Sequence, residues 1–263
     1  MNAALTNAGL VSPKGGVVVG PWAKTEFYMN GGSGYHSNDA RGTTMAVDPG
    51  TGNSGNWVTP LVRSKGAEVG IRSVLVPHWQ MTLSLWRLDL DSELVFSGDA
   101  GTTAAGRPSR RTGVEWANYF RPVSALTVDA DLSMSTARFT DFDPVGNHIP
   151  GAVETVASAG LACDGPHAVL GSLRLRYFGP RPLIEDDSMR SPVSSLVNAH
   201  VGYRLTKRSR LLFDVFNVLN SRVSDIDDYY TSRLPGEPLD GVNDIHTHPM
   251  QPRTARLSVL FAF

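Results

Sequence analysis

The chain has 263 residues, 41% hydrophobic and 19% charged, with 26 Gly, 17 Pro and a formal charge of −1; this fits neither a disordered chain nor a helical bundle and gives no general pull toward nucleic acid. Its single cysteine, Cys163, excludes an internal disulfide framework and a multi-thiolate metal site. No run reaches the roughly 18 apolar residues of a membrane-spanning helix, which leaves membrane strands open because their hydropathy signal is far weaker. The first ten residues, Met1 to Leu10, carry neither a basic n-region nor an apolar h-region. An exported protein would then need sequence upstream of Met1.

In chain order the dominant period is two, the period of a strand with unlike faces. A first strand is expected at 7–19, followed by one in which Thr25, Phe27 and Met29 face away from Glu26, Tyr28 and Asn30. Near Leu85 and Trp86 the apolar phase slips by one residue, predicting either a bulge or the level at which the strand leaves an apolar medium. From Leu126 to Ser135 the alternation is complete: Leu126, Val128, Ala130, Leu132 and Met134 against Thr127, Asp129, Asp131, Ser133 and Ser135. The same pattern recurs in Val169–Tyr177 and in Val197–Leu205.

The connections alternate as well. Short links are expected at 20–22, 77–78, 121–123, 164–166 and 206–208, and long polar links at 34–59, 98–106, 139–151, 180–191 and 220–251. About eleven antiparallel strands with short turns at one end and long loops at the other describe an up-and-down transmembrane β-barrel of the outer-membrane type. An odd count would make the first and last strands parallel on closure, whereas bacterial single-chain barrels have even numbers. An open half-barrel segment is therefore expected. Two alternatives stay open: a self-contained small barrel acting as pore or lipase-like enzyme, which needs strands 7–19 and 252–263 to pair, and a soluble β-sandwich binding module, which needs Leu126, Val128, Leu132, Val197 and Val201 buried against a second sheet.

Four separated segments carry a family resemblance. The terminal Arg256-Leu-Ser-Val-Leu-Phe-Ala-Phe263 puts Leu257, Val259, Phe261 and Phe263 on one face and resembles the assembly signal that the barrel-assembly machinery recognises. Asn217-Val218-Leu219-Asn220, followed after a long loop by Gln251-Pro252-Arg253-Thr254, resembles the last two strands of TonB-dependent receptors. Ser12-Pro-Lys-Gly-Gly16 and Gly34-Tyr-His-Ser-Asn-Asp-Ala-Arg-Gly42 are similar to further segments of that family. The resemblance implies that residues 1–263 are the C-terminal part of a receptor barrel domain, without plug, TonB box or signal peptide. It further implies location in the Gram-negative outer membrane, uptake of ferric chelates or similar nutrients, and contact with TonB only through the plug. No enzymatic activity, catalytic residue, metal or cofactor is implied.

Candidate ligand residues are His36, Asn38, Asp39, Arg41, Tyr229, Tyr230, His246 and His248. His36 and Ser37 are adjacent in an extended segment and point to opposite faces, which argues against a hydrolytic pairing. Asn38, Asp39 and Arg41 suit local loop-organising hydrogen bonds. His246 and His248 lie on one side of an extended chain, a half-site at most for a divalent metal, with Asp225, Asp227 and Asp228 as nearby carboxylates. Tyr35, Tyr229 and Tyr230 suit stacking on a chelate or an interfacial girdle. Glu68, Arg72, Glu115, Asp129, Asp131, Arg174, Arg176 and Asp214 are expected to form ion-pair ladders across the inner wall.

Overall fold

The computed structural model describes residues 5–38, 43–44, 46–47, 52–54, 58–92, 94–97, 102–165 and 168–262. Its strands are β1 (Lys14–Trp22), β2 (Thr25–Ser37), β3 (Leu61–Ser73), β4 (Trp79–Leu90), β5 (Leu94–Ser97), β6 (Thr102–Ala105), β7 (Ser109–Val123), β8 (Leu126–Phe139), β9 (Thr155–Asp164), β10 (Val169–Phe178), β11 (Ser194–Arg204), β12 (Ser209–Phe216), β13 (Ser224–Ser232), β14 (Val242–Pro249) and β15 (Thr254–Phe261). Eleven of them form one sheet in the order β1-β2-β3-β4-β7-β8-β9-β10-β11-β12-β15, with every neighbour antiparallel. The remaining four make two hairpins, β5-β6 and β13-β14, each inside a long connection. Strands β1 and β15 do not pair, so the sheet is open and the closed small barrel is ruled out as its architecture.

Register turns the alternation of each strand into continuous bands. One rung reads Val19, Phe27, Ile71, Leu83, Trp116, Leu132 and Ala157 across seven strands. Another reads Val128, Leu161, Leu173, Ala199, Val215 and Ala255 to the far edge. These apolar side chains stand on one face, and many are exposed, among them Val201 at 53% and Leu85 at 57%. Among the described residues no second sheet covers them, which removes the sandwich reading. A sheet that leaves its apolar face bare is built for a medium that is itself apolar. A buried apolar cluster sits elsewhere: Ala137, Phe139 and Ile149 pack together where the long connections gather, with Ala152 against them.

Several boundaries differ from expectation. The first strand is Lys14–Trp22 rather than 7–19, because Gly20 and Pro21 sit inside it as an irregularity and the reversal falls at Ala23 and Lys24, both at positive φ. The link placed at 121–123 is instead strand, irregular between Phe120 and Val123, and turns at Ser124 and Ala125. No bulge occurs near Leu85: β4 keeps perfect register with both neighbours from Met81 to Leu90. The phase slip has the other cause, since the outer face turns polar at Arg87 while Trp86 and Leu88 occupy the inner face. The last strand spans Thr254–Phe261.

Candidate functional site

All five long connections, 38–60, 91–108, 140–154, 179–193 and 217–253, leave the same end of the sheet. At that end ligand-contacting side chains could converge, so its geometry decides what the molecule can bind.

Three arginines tie the connections together. Arg107, just before β7, places Nε 2.8 Å from Asp141 and Nη1 2.6 Å from Glu185, while its guanidinium lies 4.5 Å from the Phe139 ring centroid. One side chain thus joins the 91–108, 140–154 and 179–193 connections. Arg190 bonds Asp187 at 2.6 Å and also Glu154, and this holds its guanidinium above its ordinary range, the Glu154 bond contributing most. Arg181 donates to Asp227 at 3.2 Å, with side chains only 13% and 2% exposed. That pair fastens the β13-β14 hairpin to the 179–193 connection. Backbone contacts add to the lock: His148 N–H donates to Glu185 O at 3.0 Å and Gly151 N–H to Pro182 O at 2.8 Å. Asp186 lies below the usual carboxylate range because the Ser188 backbone N–H, first of all, bonds its anion.

The bases of two connections are closed by asparagines. Asn38 N–H donates to Pro60 O at 2.9 Å and its Nδ2 to Thr59 O at 2.6 Å. Asn217, 3% exposed and at φ 50°, gives Nδ2 to Ser221 O at 2.9 Å and to Gln251 O at 3.3 Å, and accepts Ser221 N–H at 2.8 Å. Asn220, at φ 52°, accepts Arg253 N–H at 3.0 Å. Asparagine tolerates this left-handed backbone better than other L residues. The Asn-Val-Leu-Asn tetrad is therefore a staple at the foot of the longest connection.

The expected ligand residues do not converge on one point. His36 is on the inner face of β2 opposite Val62, and Asp39 and Arg41 lie outside the described residues. Tyr229 and Tyr230 are on β13, and His246 and His248 on β14, so they belong to a hairpin rather than to irregular loop. Tyr230 and His246 stack at 3.8 Å between centroids, and Asp228 lies opposite His246. The expected carboxylate Asp227 is instead occupied by Arg181. Among the described residues no group of three or more His, Cys, Asp or Glu could hold a metal.

The inner wall carries part of the expected ladder. Glu26 and Arg72 approach to 3.5 Å, Tyr28 Oη donates to Glu68 at 3.0 Å, and Arg174 reaches Asp129 at 3.0 Å across β9. Asp131 accepts the Ser158 hydroxyl, and Asp214 accepts Arg256 at 3.1 Å and contacts His200 Nδ1 at 2.7 Å. Glu68 and Asp131 thus accept hydroxyls instead of forming ion pairs, and the Arg176 guanidinium sits 5.2 Å from the Phe178 ring. Arg107, Arg181, Arg190 and Glu154 left no local signal in the sequence, because the contacts by which they join the connections, to Asp141, Glu185, Asp227 and one another, span 34 or more residues.

A family model described as TonB dependent receptor-like, beta-barrel matches residues 2–218. The chain belongs to the TonB-dependent receptor β-barrel family. No curated protein sequence matches it. Solved receptor structures share its fold: the ferric-catecholate import receptor Fiu of E. coli K12 in its closed form is 19% identical with a TM-score of 0.70, over 95% of this chain and 34% of that one. The ferric yersiniabactin uptake receptor FyuA of Yersinia pestis is 14% identical with a TM-score of 0.69, over 96% and 37%. The copper transporter OprC is 17% identical with a TM-score of 0.69, over 91% and 37%. The chain thus spans little more than a third of these receptors, and the fold is what the likeness carries. In the family's frame the long connections are extracellular and the short turns periplasmic.

Proposed function

We propose that the chain is the C-terminal wall of an outer-membrane receptor that takes up a ferric chelate or similar nutrient with energy relayed by TonB. The observation that carries this is the outward, largely apolar face of the eleven-stranded sheet, crowned at one end by interlocked loops. Residues 1–263 would form the later half of the barrel domain, with the earlier strands and the plug contributed by sequence upstream of Met1. Both edges, β1 and β15, run toward the periplasm, so an antiparallel complement must present an outward-running strand at each side and hence contain an odd number of strands. A second copy has an odd count too, but both its edges would run toward the periplasm and meet β1 and β15 in parallel, which disfavours it as the partner.

Ligand capture would fall to the extracellular connections, with Tyr229, Tyr230, His246 and His248 on the β13-β14 hairpin and His36, Asn38, Asp39 and Arg41 at the top of β2. Leu257, Val259, Phe261 and Phe263 would present the assembly signal to the barrel-assembly machinery; Leu257 and Phe261 are each 67% exposed on the edge strand, while Phe263 lies outside the described residues. The wall would act as a binding scaffold rather than as an enzyme. The test is to read the frame upstream of the Met1 codon and express the whole open frame in a strain lacking its own ferric-chelate receptors. Accumulation of labelled chelate that disappears when TonB is deleted is expected. Accumulation that persists without TonB, or none with any chelate, would overturn the reading.

A further inference from the structure

The two ends of the longest connection enclose a cleft. Its volume is about 530 Å³, within the range of small-molecule sites. Pro192 closes it from the 179–193 connection, and Val223, Pro249, Met250 and Pro252 line it from the two ends of 217–253. Three bonds fix that frame. Met250 N–H donates to Val223 O at 3.0 Å, Arg253 N–H to Asn220 Oδ1 at 3.0 Å, and Asn217 Nδ2 to Ser221 O at 2.9 Å. The cleft is thus built by the fold itself, with a largely apolar lining.

Its polar side chains lack an anion. Arg222 lines the cleft with the hydroxyl-bearing Ser221, Ser224 and Thr247, and no Asp or Glu among the described residues does so. Arg222 is exposed and has no carboxylate partner among the described residues. Arg176, on the inner wall, has none either; its guanidinium donates to Met250 Sδ at 3.5 Å and so backs the cleft with a second cation. The nearby carboxylates are placed elsewhere. Asp227, the register partner of Thr247, answers Arg181, and Asp228 lies opposite His246. Asp225 is exposed in the irregular step between Ser224 and Ile226, outside the cleft lining.

A complementary ligand has a flat apolar body and one anionic fork. Methionine sulfur and guanidinium planes both pack favourably on aromatic rings, and the prolines add rigid apolar faces. An arginine beside hydroxyl donors suits a carboxylate, which accepts two parallel bonds from the guanidinium. We infer that the cleft at the foot of the β13-β14 hairpin binds an aromatic carboxylate, carried as an arm of the captured nutrient. The inference rests on the reading of the long-connection end as the capturing side and adds the chemistry of the group held there.

The test uses the full chain refolded into zwitterionic detergent micelles, its methionine methyl groups labelled with carbon-13, with strand content by circular dichroism as the fold control. Benzoate is titrated beside benzamide, which keeps the ring and loses the charge, and acetate, which keeps the charge and loses the ring. Benzoate should move the Met250 methyl signal, assigned with Met250→Leu, while Met29 and Met134 on the outer apolar face stay in place. It should bind at least about tenfold tighter than either analogue, a factor that a hydrogen bond to a charged group supplies. Arg222→Gln should lose about tenfold toward benzoate, for the same reason, and nothing toward benzamide. Arg208→Gln, in a short turn at the other end of the sheet, should bind as the parent does. Equal affinity for benzoate and either analogue, an unaffected Arg222→Gln with normal strand content, or shifts at Met29 and Met134 as large as that at Met250 would each overturn the inference. No uptake is involved, so those results leave the receptor reading to its own assay, and failed uptake beside intact benzoate binding counts against that reading alone. A chain that gains no strand content in micelles would overturn both.

Discussion

Arg181 and Asp227, 46 residues apart, meet at 3.2 Å with side chains almost wholly enclosed, and one oxygen of the carboxylate, Oδ1, has no other partner among the described residues. The pair fastens the β13-β14 hairpin to the neighbouring connection. Breaking one side of a buried ion pair strands a charge and costs about 3 kcal/mol or more. Arg181→Met is therefore expected to raise amide exchange throughout 224–249 while leaving the eleven-strand sheet protected. Asp227→Asn should do less, because an amide oxygen can still accept from Arg181 and the charge left unpaired is the less enclosed of the two. Equal exchange in parent and both variants would show that the hairpin is held by something else.

Gly146 lies at φ 149°, and a Cβ there would fall 2.2 Å from Glu185 O. Two connections cross at that point with no room for a side chain. Gly146→Ala combines backbone strain with a backbone clash and should cost about 1–3 kcal/mol. The expected signature is faster proteolysis within both 140–154 and 179–193, since neither connection can shift alone. Gly151→Ala supplies the contrast: it is also at positive φ but has nothing within 4 Å of its would-be Cβ, so its effect should be local.

The asparagine staple separates conformation from bonding. Asn217→Gly keeps access to the left-handed backbone but loses the bonds to Ser221 and Gln251, whereas Asn217→Ala loses both. Leaving those buried groups unpaired costs about 1–3 kcal/mol. Both variants should expose 221–252 to protease, with alanine the worse. Parental protease resistance in Asn217→Gly would mean that backbone geometry alone closes the loop.

Faces one residue apart should respond oppositely to charge. Leu132→Arg places a cation in the apolar band and should destabilise the vesicle-inserted sheet by about 2–4 kcal/mol toward the midplane. Ser133→Arg adds the same group to the inner face beside Glu115, its register partner, and should cost far less. Urea midpoints in vesicles would compare them; equal losses would argue that both faces meet the same medium.

Strand existence, antiparallel order and the side on which the long connections lie were legible from period-two alternation and from Gly, Pro and Asp spacing, because each depends on neighbours a few residues apart. Exact ends were less so. Gly20 and Pro21 read as a turn, yet pairing of Trp22 with Thr25 keeps the strand going past them. The slip at Leu85 allowed either a bulge or an emergence level, and only the unbroken registers of β4 separate the two.

By itself the sequence determined an all-β chain with one apolar and one polar face, since alternation is a local property that backbone pleating converts directly into faces. It also carried the Asn-Val-Leu-Asn signature, although not what that signature does. Only the tertiary structure decided that β1 and β15 stay apart and that Asp227 answers Arg181 rather than a histidine pair. Those outcomes depend on register and on contacts between residues far apart in the chain, and no local pattern records which distant charge a side chain will meet.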